Sequence, residues 1–65
     1  MKVTYDATVD VIRILFSDRP IDESDETKPG VILDYDKDGK VVGMEILDAS
    51  QQMEDPRSLE HAVAG

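Results

Sequence analysis

The stretch from residue 29 to residue 50, PGVILDYDKDGKVVGMEILDAS, constrains this chain more than any other. Two aliphatic, β-branched runs flank Asp38-Gly39, the strongest short-range signal for a hairpin turn. With a two-residue type I′ turn there, Asp36 faces Val41, Tyr35 faces Val42, Leu33 faces Met44 and Val31 faces Ile46. Tyr35, Val42, Leu33, Met44, Val31 and Ile46 then share one apolar face. Ile32, Asp34, Asp36, Val41, Gly43, Glu45 and Leu47 lie on the other. A three-residue loop would instead set Leu33 against Gly43 and Val31 against Glu45. A slip of one residue flips every side chain, so the apolar pattern predicts the even loop.

The rest of the chain reads as material laid against that hairpin. Lys2, Val3, Thr4 and Tyr5 alternate as a short strand with Val3 and Tyr5 inward. Asp6 breaks it and opens a capped turn or single helical turn over Ala7, Thr8 and Val9, closed by Asp10. Residues 11–16 form a second strand whose core face is predicted to be Ile12, Ile14 and Phe16, with Val11, Arg13 and Leu15 opposite. Ser17, Asp18, Arg19 and Pro20 make a turn. Residues 21–27 carry four carboxylates, Asp22, Glu23, Asp25 and Glu26, and read as an edge strand guarded by charge. Lys28, Pro29 and Gly30 bar any helix from running into Val31. Beyond the hairpin, Asp48 or Ser50 is the expected cap of a short helix ending near Met53. Asp55-Pro56 marks a second helix start with proline at its first position, and Leu59, Ala62 and Val63 form its apolar stripe, fraying at Gly65. Met44 and Met53 read as core filler.

These elements predict an α+β fold: a small antiparallel sheet of about four strands, a meander of hairpins, with a C-terminal helix. Residues 1–50 form the sheet core and residues 51–65 a helical tail of the same domain. At 65 residues the core is marginal, and chains of this size usually add disulfides, a metal or a second subunit. There is no cysteine, so the expected supplement is a homodimer, the commonest oligomer. A net charge of −8 argues against a phosphate backbone as direct partner and permits a basic protein one. No apolar run is long enough to span a membrane and no signal peptide is recognisable, so a cytoplasmic location is the default expectation.

One string carries possible chemistry. From Asp34 to Glu45 the spacing matches an EF-hand calcium loop: acids at positions one, three, five and twelve, glycine at six and an aliphatic at eight. Asp34, Asp36, Asp38 and Glu45 are therefore the candidate metal ligands. The context is against it, because the flanks are β-patterned and Val42 stands where a ligand is wanted. Asp and Gly are also what turns require. Gly43 opposite Asp34 suits a shallow acidic pocket or, as the preferred reading, a bulge or close backbone approach. His61 reads as surface decoration, and no catalytic or cofactor-binding residue is assigned.

Tyr5-Asp6, residues 12–18, residues 29–36 and residues 43–50, the last run ending Ile46-Leu47-Asp48-Ala49-Ser50, resemble a prokaryotic family of small proteins catalogued as domain of unknown function 2283. The resemblance covers residues 1–50. It implies a single small domain with no assigned catalytic residues. Two departures stand out: Leu15 replaces an expected polar residue, and the tail beyond Ser50 is longer than the family core. Both suit added apolar contact between subunits. Genes of such families can neighbour small toxin-like proteins, which makes an antitoxin-like role an expectation by analogy. The leading functional expectation is a non-enzymatic interaction module acting as a homodimer or with a basic partner, with calcium binding as the alternative.

Overall fold

The computed structural model describes residues 1–58, 60 and 62–64. Five strands form one antiparallel sheet: β1 (Lys2–Asp6), β2 (Val11–Leu15), β3 (Glu23–Lys28), β4 (Val31–Tyr35) and β5 (Val41–Ile46). A single helical turn, α1 (Ala49–Gln52), follows. The spatial order is β1-β2-β5-β4-β3. The small antiparallel sheet is as expected, with five strands where about four were predicted, but it is not a meander of hairpins, because β2 is not joined to β3 by a hairpin. The chain instead passes over the end of β5 and β4, and β5 returns beside β2 in a Greek-key arrangement. The passage is anchored by the N–H groups of Phe16 and Ser17 on the Val42 carbonyl and by the Asp22 N–H on the Tyr35 carbonyl. The Arg19 guanidinium reaches Asp36 at 3.2 Å on the way. The acidic run does become an edge strand, exposed along its whole length.

The central hairpin keeps the predicted register by a different route. Val31 pairs with Ile46, Leu33 with Met44 and Asp34 with Gly43, as the apolar pattern requires. The connection, however, is not the two-residue turn. The Asp36 N–H donates to the Lys40 carbonyl and the Gly39 N–H to the Asp36 carbonyl, and Gly39 has φ 79°. That is a three-residue loop ending in a left-handed glycine. Tyr35 consequently pairs with Val41 rather than Val42, and the register shifts between Asp34 and Tyr35. The extra residue is Val42, bulged out of the ladder and buried under the crossing chain. The odd loop moves the register by one and the bulge moves it back.

Pairing across all five strands sorts the side chains into rows. One face carries Val3, Ile14, Met44, Leu33 and Asp25 in one row and Tyr5, Ile12, Ile46, Val31 and Lys28 in the next. The other carries Lys2, Leu15, Gly43, Asp34 and Ser24, then Thr4, Arg13, Glu45, Ile32 and Glu26. The sheet is thus apolar on one side and mixed polar on the other, the usual pattern of an antiparallel sheet with one packed face.

That packed face has little to pack on. Among the described residues the fully buried apolar side chains are Ile12, Val42 and Ala49. Of the predicted core trio, Ile12 is 2% exposed, Ile14 half-buried and Phe16 47% exposed, so Phe16 is not a core residue. The Cα radius of gyration is 12.5 Å, against about 11 Å for a compact chain of this length. The predicted second helix at Asp55-Pro56 is a turn, in which the Arg57 N–H donates to Asp55 Oδ1 at 3.0 Å and the Ser58 N–H to the Asp55 carbonyl. Ala62 and Val63 are not helical; Leu59, His61 and Gly65 lie outside the described residues. Among the described tail residues, Met53 and Glu60 border the apolar face, and Arg57 lies 5.5 Å above the Tyr5 ring.

Candidate functional site

The Asp-rich end of the hairpin is built as a turn. One oxygen of Asp36, Oδ1, accepts from the backbone N–H groups of both Asp38 and Lys40 at 2.9 Å. The other oxygen meets Arg19. The N–H of Lys40, then the N–H of Asp38 and the Arg19 charge, hold the carboxyl below its ordinary value despite opposing desolvation. Asp36 thus takes up the loop's own donors, the place a bound cation would need. Asp38 projects from the exposed tip.

The other two candidate ligands face elsewhere. Asp34 is 2% exposed on the polar face, where Ser24 Oγ donates to its Oδ1 at 2.6 Å. Its second oxygen lies over Gly43, close enough that a Cβ built there would stand 3.2 Å away. The conceivable pocket is filled by Asp34 itself, and Gly43 is a close backbone approach beside a bulge. Glu45 turns away to Arg13 on β2, at 3.0 Å. The structure therefore does not bring Asp34, Asp36, Asp38 and Glu45 together. Among the described residues no three His, Cys, Asp or Glu side chains are grouped to hold a metal.

A second polar cluster was not anticipated. Asp10, in left-handed backbone at φ 58°, accepts from Ser50 Oγ at 2.6 Å, the Ser50 N–H at 3.0 Å and the Tyr5 hydroxyl at 2.7 Å. Its carbonyl takes the Ala49 N–H. Asp48 holds the N-cap position of α1, as expected, but makes no side-chain cap bond; the residue that takes up the helix's first N–H groups is Asp10, supplied from the β1–β2 turn. The Ser50 and Tyr5 hydroxyls hold the Asp10 carboxyl below its usual value. The same bond to Asp10, helped by burial, pushes the Tyr5 phenol up. Ser50 lies forty positions from Asp10 in sequence, so no local motif announces their pairing. A left-handed Asp at the end of a turn was the only available hint.

The third feature is the apolar face. Met1, Val3, Ile12, Ile14, Phe16, Ile46 and Met53 line a shallow open groove on it, bordered by Glu60. Val3 is 39% exposed and Phe16 is nearly half exposed. Strand alternation made this surface legible, although Phe16 was expected inside it.

A family model described as protein of unknown function (DUF2283) matches residues 2–50 of the chain. No curated protein and no solved structure matches it. The matched span runs from β1 to Ser50 and so contains the whole sheet and the complete Tyr5, Asp10 and Ser50 cluster. Among the described residues no helix is long and apolar enough to cross a membrane.

Proposed function

The chain belongs to the DUF2283 family, which carries no activity to inherit, and we propose that it is a non-enzymatic protein-interaction module whose working surface is the apolar face of the sheet. One observation carries this reading: among the described residues, a five-stranded sheet with an apolar side has only a short tail segment as its second layer. Stable domains pack two layers, so the missing one is supplied from outside. The polar clusters support the same reading, since the Asp10, Asp34 and Asp36 carboxylates are each engaged in holding chain segments together. Among the described residues no geometry favours the calcium alternative, and the antitoxin-like role rests on analogy alone.

The test is a stability measurement on the dilute chain. A surface kept apolar for a partner contributes little to the isolated fold, so Val3→Thr and Phe16→Ser should leave the melting temperature unchanged or raise it, as ordinary surface substitutions within about 0.5 kcal/mol do. A loss of more than about 1 kcal/mol, roughly 4–8 °C for a chain of this size, would mean that the face packs on its own chain. That result would end the proposal.

A further inference from the structure

We infer that the occupant of the apolar face is a second copy of this chain, stacked sheet on sheet; the inference rests on the interaction reading and names its partner. Charge distribution is the first argument. The chain carries −8 in all, yet the strand residues on the apolar face include only Glu23, Asp25 and Lys28 as charged groups, all on the edge strand β3. Lys2, Asp6, Arg13, Asp34, Glu45 and Glu26 belong to the opposite face. Two such faces therefore meet with little mutual repulsion, whereas a basic protein would find almost no field to bind there. A second copy of the same surface is apolar where this one is apolar, which is what a twofold interface requires.

Area and access agree. Five strands about 4.8 Å apart and about five residues long present roughly 400 Å² in projection, before side-chain relief is added. Specific interfaces bury about 800 Å² of accessible surface per partner, so the stack falls at the weaker end and should be concentration-dependent. Pairing through the β3 edge is opposed by its exposed charges. Met53 borders the face beside Ile12 and Arg57 lies over Tyr5, while among the described residues Val3 and Phe16 stay exposed and Ile14, Met44 and Leu33 are half-buried. Met44 lies on β5, the middle strand, in the middle of the row formed by Val3, Ile14, Met44 and Leu33. Whichever in-plane direction the twofold axis takes, Met44 is the residue nearest its own counterpart.

Sedimentation equilibrium over a micromolar to millimolar range should show the mass rising from 7.2 kDa for one chain to twice that. The chain has no cysteine, so Met44→Cys provides a single reactive site. Stacked sheets sit about 10 Å apart, too far for a disulfide but within reach of a short bis-maleimide. Met44→Cys should cross-link to dimer, while Thr4→Cys on the polar face should not. Combining Val3→Asp with Phe16→Asp should weaken association at least tenfold, and the milder Phe16→Ser should weaken it measurably without altering the fold. A chain that stays at 7.2 kDa throughout overturns the second-copy inference; if the dilute-chain stability test still holds, the face belongs to a different protein. A dimer that cross-links equally through Thr4→Cys, or that survives the double substitution, overturns it as well.

Discussion

Gly43→Ala separates two opposing effects whose sizes can be estimated from the structure. In an ordinary strand the change should help, because glycine costs about 0.5–1 kcal/mol relative to alanine. Here the new methyl would stand 3.1 Å from the Ile14 carbonyl oxygen, 3.2 Å from Asp34 Oδ2 and 3.4 Å from Leu15 Cδ2. The carbonyl belongs to the adjoining strand β2. The carboxylate is tethered through its other oxygen to Ser24. Neither can withdraw freely, and crowding a packed site by one carbon costs about 1–3 kcal/mol. Crowding wins, and the net loss is about 1 kcal/mol, or a fall of roughly 4–8 °C in melting temperature. Thermal denaturation followed by far-UV circular dichroism measures it. Introducing the same change into Asp34→Ala removes one of the two oxygen contacts, so the alanine should cost less there, with a coupling of at least about 0.5 kcal/mol. A Gly43→Ala variant more stable than the parent, or strict additivity with Asp34→Ala, would refute the close approach.

The Asp10 and Asp36 carboxyls lie below their ordinary values in the folded chain, so the unfolded chain binds protons more readily. Their stabilisation should be complete above about pH 5 and fade as pH falls through the lowered folded values. Asp10→Asn should flatten that acid limb in a melting-temperature profile. The Tyr5 phenol is raised instead, so its contribution is present below about pH 10 and lost as pH climbs through the folded value. Tyr5→Phe should flatten the alkaline limb and, because the phenol also donates to Asp10, weaken the acid limb in part. Millimolar calcium should leave the melting temperature unchanged, because the Asp36 loop already satisfies its own carboxylate; a clear rise would revive the cation reading. Ile12→Ala, at the largest fully buried aliphatic side chain among the described residues, should cost about 2–5 kcal/mol and be checked by urea denaturation.

What the sequence revealed and what it concealed divide along a physical line. Alternation in residues 31–35 and 41–46 predicted which side chains share a face, because a one-residue slip would have buried Glu45 and exposed Met44. The loop was misread for the same reason. Parity was assumed to come from the turn, whereas an odd loop and the Val42 bulge together restore it. Burial constrains the sum of the two irregularities and leaves each one free. The Asp10 cluster was invisible because Ser50, forty positions away, is joined to it only by the folded topology, even though Tyr5 is a local partner five positions away. The second expected helix, unlike α1, is absent from the described residues for the opposite reason: its apolar spacing is legible, but so short a helix is marginal alone, and Asp55 and Pro56 form a turn instead.

The match to the family model sharpens the functional argument. It ends at Ser50, the residue whose hydroxyl and N–H both bind Asp10. The strand pairing and the Asp10 cluster are therefore inside the matched span, and outside it lie Gln52, whose amide donates to the Leu47 carbonyl at 2.9 Å, and the segment that borders the apolar face. A chain that ended at Ser50 would keep its strand pairing and expose more of Tyr5 and Ile12. The tail and the proposed second copy therefore compete for one surface, and each square ångström the tail covers is withdrawn from the dimer. Removing residues 53–65 should lower the stability of the dilute chain while tightening self-association. If association instead weakened with the tail gone, the segment would have to contribute contacts across the interface rather than compete for it.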